Sequence, residues 1–349
     1  MSRLPVRTAF AVASCIALAA CGSDGTTAPV ITPVTAQLTV DASTNYAYVH
    51  LGETATTVMP NDPATSTAWD LGFFATNVIV NGGAVGPGGV TAYCLCQNAA
   101  VSDAALAGLT AAGELAGFEA VTATQLPAAD AFTSDTLTPA IGGWYTGVGA
   151  SATAKADRAW LLRSGTATVT LGKFRVTALA NATATSAGQV TFEYALQSTA
   201  GGTFGPSQTR TVDVRSGPVY FDLTAGAPTT ASGTWDLRFS GFEIRANGGV
   251  SGAGSMSALV DNGTPYASIT AAYAATAPAQ VFKKDAYSGV FVSKPWYRYN
   301  ITGTDNQIWP TYNVYLVKRG SETYKVQLTS YYGTTGTSRQ ITIRYARLQ

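Results

Sequence analysis

Catalytic residue types are scarce in this 349-residue sequence. His50 is its one histidine, so a Ser-His-Asp site would have to form around that side chain. Alternation along the predicted strand instead places Val49 and Leu51 inward and His50 outward, towards solvent. The GxSxG, HExxH, GxGxxG and Walker A motifs are absent from the sequence. These observations predict that the protein is not an enzyme.

The N-terminus has the pattern of a bacterial lipoprotein signal peptide, over residues 1–20. Arg3 and Arg7 precede a short apolar run that ends in Leu-Ala-Ala and Cys21. This pattern predicts cleavage before Cys21 and attachment of lipid, such as palmitate, to its thiol. An ordinary secretory signal peptide is the alternative. Because no Asp follows Cys21, we expect an anchor in the outer membrane, at the cell surface.

The segment after the signal peptide and the composition of the body limit the possible partners. Residues 21–36 are rich in small residues and proline, which predicts a flexible tether. Charged residues make up 12% of the chain, and removing residues 1–20 leaves a nearly neutral body. A neutral body has no electrostatic surface for nucleic acid, so we expect the membrane, through the lipid anchor, as one partner.

A motif of the form WDLxF, followed by NGG, occurs twice, at 69–83 and 235–249. Further matches on both sides of the motif keep the same order in both copies, which indicates a duplication. We place the copies at 37–198 and 206–349 and expect each to bury its own core. The join at 198–208, STAGGTFGPSQ, has the composition of a short flexible linker.

Short segments of alternating polarity predict an all-β fold of two tandem β-rich domains. Residues 168–179, 189–196, 324–332 and 339–348 alternate as half-buried strands do. The NGG triplets are typical of tight hairpin turns. One helix is predicted at 101–118, where Ser102 and Asp103 precede a run of Ala and Leu. It lies in an insertion that only the first copy carries.

The repeated motifs resemble those of the HmuY-like proteins, a family of bacterial surface lipoproteins whose founding members bind haem. The shared marks are a YxxL strand at 48–51 and 220–223, WDLxF with NGG, and the closing strands at 324–346. The resemblance covers most of both copies and implies an almost entirely β fold. The tandem arrangement departs from the single-domain founding members.

The resemblance also implies that iron is held by two axial side chains, usually a pair of His and in some members Met. A site of two His within one molecule is excluded, because His50 stands alone. In the corresponding stretch of the second copy the one candidate is Met256, for which a role as core filler is the alternative. Met59 precedes a proline and is predicted to lie at the surface.

Tyrosine is a further haem ligand, because phenolate binds ferric iron. The densest aromatic group consists of Tyr297 and Tyr299 with Trp296 and Trp309. Such a group either packs and orders a loop or lines a site for a planar ligand.

Cys94 and Cys96 are separated by one residue, so they lie on the same side of an extended strand, near the upper limit of disulfide reach. Oxidation is the default outside the cytoplasm, which favours a disulfide over free thiols or a metal or haem contact. We place the pair in the insertion of the first copy.

Two hypotheses follow for the function. The first is capture of haem or another planar hydrophobic ligand by a surface lipoprotein that carries out no catalysis. The second is a structural or adhesive envelope protein that binds another surface protein and has lost haem binding.

Replacing Cys21→Ser is expected to abolish lipid attachment, because the thiol is the group that is acylated. Labelling of cells with a palmitate analogue measures the modification. The matched control is Cys15→Ser, inside the predicted signal peptide, which should leave labelling unchanged. Continued labelling of the Cys21→Ser protein would show that the lipoprotein assignment is wrong.

Overall fold

The computed structural model describes residues 34–349, which form many short strands and a few short helices. The expected all-β fold class is confirmed. None of the helices within 34–349 has the length and apolar character that crossing a membrane requires.

The first copy supplies twelve strands. They are β1 (Ala36–Asp41), β2 (Ala47–His50), β3 (Thr56–Val58), β4 (Leu71–Phe74), β5 (Asn77–Val80), β6 (Thr91–Cys94), β7 (Thr136–Thr138), β8 (Tyr145–Thr146), β9 (Thr153–Ala154), β10 (Ala159–Ser164), β11 (Thr170–Ala180) and β12 (Gln189–Leu196).

The second copy supplies the other twelve. They are β13 (Gln208–Asp213), β14 (Val219–Asp222), β15 (Ala227–Thr229), β16 (Leu237–Ser240), β17 (Glu243–Ala246), β18 (Ser257–Asp261), β19 (Ala286–Ser288), β20 (Tyr297–Tyr299), β21 (Ile308–Pro310), β22 (Val314–Arg319), β23 (Glu322–Tyr332) and β24 (Ser338–Arg347).

The α-helices each span one turn or little more. They are α1 (Asp103–Leu106), α2 (Leu115–Glu119), α3 (Ala271–Ala275) and α4 (Val290–Ser293). Short 3₁₀ helices lie at Ala123–Gln125, Ala129–Ala131, Gly149–Ser151, Tyr266–Ser268 and Ala279–Val281.

The two largest sheets each combine strands from both copies. One has the order β1-β24-β23-β22-β6, and the other has the order β13-β12-β11-β10-β18. All neighbours are antiparallel; Val40 of β1, for example, lies opposite Ile341 of β24, and Val190 of β12 opposite Val212 of β13. The three central strands come from the C-terminal half of one copy, and the flanking strands come from the N-terminal half of the other.

Each of these sheets packs against a four-stranded sheet built from the repeated motif. The order is β3-β2-β4-β5 in one case and β15-β14-β16-β17 in the other. Two modules result: an outer module of residues 34–138 and 286–349, and an inner module of residues 139–285. Phe73 shares a buried core with Tyr345 in the outer module, and Phe192 shares one with Phe239 in the inner module.

The copies therefore exchange halves, which differs from the expectation that each copy buries its own core. The physical reason lies in the join at 198–208, which is a closed loop rather than a flexible linker. The Gly205 amide donates to the Leu196 carbonyl at 2.9 Å, and the Gln197 side chain donates to the Gly202 carbonyl at 2.6 Å. A short loop costs little closure entropy, so β12 and β13, which it connects, pair with each other.

The chain passes between the modules along two paired strands. β7 leads into the inner module and β19 leads back to the outer module, and the two are antiparallel, with Leu137 opposite Tyr287. The buried Asp135 just before β7 accepts a hydrogen bond from the Val80 amide at 2.8 Å. Its counterpart before β19, Asp285, accepts one from the Ala246 amide at 3.0 Å. A buried carboxylate thus anchors each crossing strand to the repeated motif of its own copy.

The NGG triplets are not the hairpin turns that their composition predicts. The turn between β4 and β5 is Ala75-Thr76, and NGG follows β5. A Cβ atom on Gly82 would lie 2.1 Å from the Val90 carbonyl oxygen, and Gly83 has a φ of +63°. Glycine is needed here because two backbone segments touch, rather than because the chain reverses.

The expected helix at 101–118 is also different in the structure, where α1 and α2 are separated by turns. Ser102 caps α1, its hydroxyl accepting from the Ala105 amide at 3.2 Å. Gly108 and Gly113 lie between the two helices, and glycine lowers helix propensity by about 1 kcal/mol relative to alanine. The alanine content therefore misled the prediction of one continuous helix.

A fragment of residues 139–285 is expected to fold on its own, because it contains both sheets and the whole core of the inner module. Chemical denaturation followed by tryptophan fluorescence should show one cooperative transition. Phe192→Ala within this fragment should lower the free energy of unfolding by about 3–5 kcal/mol, the range for removing a large buried side chain.

The comparison fragment is 206–349, one complete copy, in which β13 has lost its partner β12 and β24 its partner β1. We expect its transition to be less cooperative than that of 139–285. A molten 139–285 beside a cooperative 206–349 would contradict the exchanged arrangement.

Candidate functional site

The aromatic group at 296–309 is divided between the core and a surface hairpin. Trp296 is buried in the outer module, and its indole N–H donates to the Thr76 carbonyl at 2.9 Å. The Tyr297 ring packs against it with a centroid distance of 5.3 Å. These two side chains belong to the packing of the module.

The other two members of the group lie on the β20–β21 hairpin. Tyr299 is 57% exposed, and its hydroxyl donates to the Asn306 side chain at 2.8 Å. The indole N–H of Trp309 donates to the Asp305 carboxylate at 2.9 Å. Both polar atoms thus form hydrogen bonds that order the hairpin loop. The four rings do not line one common ligand cavity.

His50 takes part in a cluster of polar side chains instead of standing free. Its Nδ1 lies 2.9 Å from the Arg319 guanidinium and 3.2 Å from the Asp70 carboxylate. The same carboxylate accepts from Arg319 and from the Leu51 amide, each at 2.7 Å. Burial raises the pKa of Asp70, while the Leu51 amide and the Arg319 charge oppose that change.

The motif aspartates bind backbone donors in both copies. Asp236 accepts from the Leu223 amide at 2.9 Å, as Asp70 does from Leu51. These hydrogen bonds tie the start of β4 to the end of β2 in the first copy, and the start of β16 to the end of β14 in the second.

The two methionines within 34–349 occupy opposite environments. Met256 is buried in the core of the inner module, and Met59 is 97% exposed. Met256 lies in a different module from His50, which belongs to the outer module, and Met59 lies three residues beyond Thr56, the residue opposite His50. The His and Met of residues 34–349 thus do not form a pair that could hold haem iron from two sides, and no His, Cys, Asp or Glu cluster within that range suits a metal ion.

Cys94 and Cys96 are joined by a disulfide. Cys94 lies opposite Tyr315 at the end of β6, so it belongs to a strand that has an equivalent in the other copy. This corrects the placement of Cys94 in the insertion, which begins only after β6. Cys21 and the predicted signal peptide lie outside the described residues.

A cleft of about 490 Å³ opens between the join and α3. We call it the loop–helix cleft. Small residues line most of it, together with Phe204 and Lys173; they are Gly201, Gly202, Thr203, Gly205, Ser207, Ala267, Thr270, Ala271, Ala272 and Ala275, with Gln197 and Ile269.

Lys173 supports one side of the loop–helix cleft. Its buried ammonium donates to the Tyr266 and Ile269 carbonyls at 2.9 and 3.0 Å and lies 4.4 Å from the centroid of the Tyr266 ring. Desolvation by burial lowers its pKa, and the nearby positive charge of Arg175 lowers it further. The lysine therefore holds the segment before α3 in place through charge-assisted hydrogen bonds.

The outer module repeats this arrangement. The Lys325 ammonium donates to the carbonyls of Phe118 and Val121 at 2.9 and 2.8 Å and lies 4.7 Å from the centroid of the Phe118 ring. Neither lysine lies in a motif that the sequence alone marks as functional. The available signal was a charged residue at an inward position of a closing strand, in the segments LGKF and TYKV.

Comparison with known proteins places these features in a family. The HmuY protein family model matches residues 42–194 and 216–345, which is most of the chain. The chain belongs to the HmuY family. Its two copies correspond to two successive matches of that model, as the repeated motif predicted. Among curated proteins, none matches the chain.

Three solved structures are similar to parts of the chain. A putative HmuY-like haem-binding protein from Bacteroides vulgatus is 16% identical, covering 37% of this chain and 83% of its own, with a TM-score of 0.16. A putative lipoprotein from Bacteroides fragilis is 19% identical, covering 37% and 80%, with a TM-score of 0.15. The apo HmuY analog of Tannerella forsythia is 16% identical, covering 40% and 83%, with a TM-score of 0.15.

Asp135→Asn is expected to change how stability depends on pH. Burial raises the pKa of Asp135 to about 7, opposed by the hydrogen bond from Val80. The carboxyl has a lower pKa in the unfolded protein. Between about pH 4 and pH 7 the folded protein therefore holds a proton that the unfolded protein lacks. The stabilisation from this group is therefore present at acid pH and is lost as the pH rises towards 7.

The free energy of unfolding of the wild type, relative to Asp135→Asn, should fall by about 2–4 kcal/mol across this range. Urea denaturation at successive pH values measures the difference. Asp130→Asn, at an exposed position, is the matched control and should follow the wild type. Parallel pH profiles for the wild type and Asp135→Asn would contradict the assignment.

Proposed function

We propose that this HmuY-family protein is a lipid-anchored envelope protein that captures a flat hydrophobic ligand of the haem class and carries out no catalysis. The observation that supports the proposal best is the loop–helix cleft, which lies in the inner module beside α3. Family membership supplies the ligand class, and the cleft supplies a place for it.

The lining of the cleft suits the face of a planar ring. Ala271, Ala272 and Ala275 line the cleft together with the glycines of the join. Side chains this small offer little steric obstruction to a planar ring, and the Phe204 ring offers an aromatic contact. Each Å² of apolar surface removed from water contributes about 25 cal/mol. Burial of the two faces of a planar macrocycle would therefore stabilise its complex with the protein.

The described residues that line the cleft include no His, Met, Cys or Tyr. The ammonium of Lys173 is already bonded to two carbonyls. We therefore expect the ligand to be held through its ring system and not through an axial bond to iron. An iron-free porphyrin should then bind about as tightly as haem.

Titration of protein lacking residues 1–21 with haemin and with protoporphyrin IX tests this proposal. We expect both to bind, with dissociation constants that agree within about tenfold, or about 1.4 kcal/mol. The Soret band measures haemin binding, and porphyrin fluorescence measures the iron-free ligand. Ala272→Trp, which fills the cleft, should weaken both.

The matched control is Ala116→Trp, at an exposed position on α2 of the outer module. It should leave both titrations unchanged. Absence of binding by either ligand at micromolar protein would reject capture and favour the alternative of an adhesive protein that binds an outer-membrane partner. Binding of haemin alone would reject retention by the ring faces.

A further inference from the structure

The motif sheet of the inner module carries a second cavity, about 540 Å³ in volume, that shares no lining residue with the loop–helix cleft. We infer that it binds a small aromatic carboxylate. We call it the arginine pocket. It is lined by Tyr220, Trp235, Arg238, Arg245 and Asn247 and by small residues from Ala231, Gly233 and 251–254.

Two arginines face each other directly in this pocket. Arg238 of β16 is opposite Arg245 of β17 in the antiparallel register. Like charges at such positions repel each other, which lowers the stability of the hairpin. Glu243 is the carboxylate that both guanidiniums contact, with Arg238 at 3.7 Å and Arg245 closer. One negative charge shared by two positive charges leaves the pocket with a net positive charge.

The hydrogen bonds of Arg238 are also incomplete. Its Nε is buried and has no hydrogen-bond partner among residues 34–349. An unsatisfied buried donor lowers stability, and it does so more strongly when it is charged. A carboxylate is the natural complement, because its two oxygens match the paired N–H groups of a guanidinium.

Aromatic side chains line another part of the arginine pocket. The Tyr220 and Trp235 rings meet edge to face with centroids 5.2 Å apart, and the Arg238 guanidinium lies 5.8 Å from the Tyr220 centroid. On the other side the chain at 251–254 passes close to Asn247, whose Oδ1 accepts from the Gly254 amide at 3.0 Å. The pocket thus combines a cationic end with an aromatic surface, as an aromatic acid requires.

The outer module shows that the fold does not need these arginines. There the corresponding positions are Gly72 and Ile79, which lie opposite each other in the same register. Ile79 packs with Trp69 and Val85 in an apolar cluster. The same motif sheet therefore forms without any charge at this place, so the opposed arginines are not explained by packing.

Isothermal titration of the chain from residue 22 onward with benzoate tests the inference. We expect saturable binding of benzoate, and binding of the neutral analogue benzyl alcohol that is at least about tenfold weaker. The double variant Arg238→Gly with Arg245→Ile introduces the residues of the outer module and should lose benzoate binding while keeping a cooperative thermal transition.

Two further variants keep the test decisive if the double variant does not fold. Arg245→Gln removes one charge while keeping a polar side chain that can donate hydrogen bonds, and it should weaken benzoate binding at least about threefold. Arg215→Gln, at an exposed position outside the pocket, is the control and should bind as the wild type does.

Absence of benzoate binding up to about 10 mM, or equal binding by wild type and Arg245→Gln, would overturn the inference. Inorganic phosphate that competes with benzoate at equal concentration would overturn the aromatic class and indicate a general anion site. Because haemin capture concerns the other cleft, its outcome in these variants should be unchanged, so the two proposals fail separately.

Discussion

The fold depends on one constraint of chain connectivity: the loop at 198–208 is closed by its own hydrogen bonds and joins β12 to β13 as antiparallel neighbours. Once these strands share a sheet, the N-terminal half of the second copy is committed to the C-terminal half of the first. The remaining halves, at the two ends of the described chain, then complete the outer module. Local pairing with low closure entropy thus determines the long-range arrangement of the whole molecule.

The fold class and the duplication could be predicted from the sequence because local sequence patterns indicate both. Alternating polarity identifies strands wherever one face is buried, and the recurrence of WDLxF with NGG reveals the copies. The exchange of halves could not be predicted, because β13 and β1 have similar sequences and could each pair with β12 or with β24. The choice is made by the loop, whose Gly and Ser content resembles that of a linker.

The candidate sites were accessible from the sequence only in part. The residues with distinctive chemistry, such as His50 and Met256, turned out to be engaged in a polar cluster and in the core. The cleft beside α3 is lined by alanine and glycine, which carry no chemical signal in a sequence. The arginine pocket was hidden for another reason: Arg238 and Arg245 lie inside the repeated segment 235–249, at positions that differ between the two copies, and they become neighbours only through the register of β16 and β17.

The interleaved order has a consequence for the way in which the protein folds while it is synthesised. The inner module is complete once residue 285 has emerged from the ribosome. It can therefore fold while the rest of the chain is still being synthesised. Strands β1 and β6 emerge early, yet they have to wait for β22 to β24 before the five-stranded sheet of the outer module can form. The sheet of β2 to β5 has to wait for that sheet to cover its buried face. For that interval the outer module presents unpaired strand edges, which are prone to aggregation.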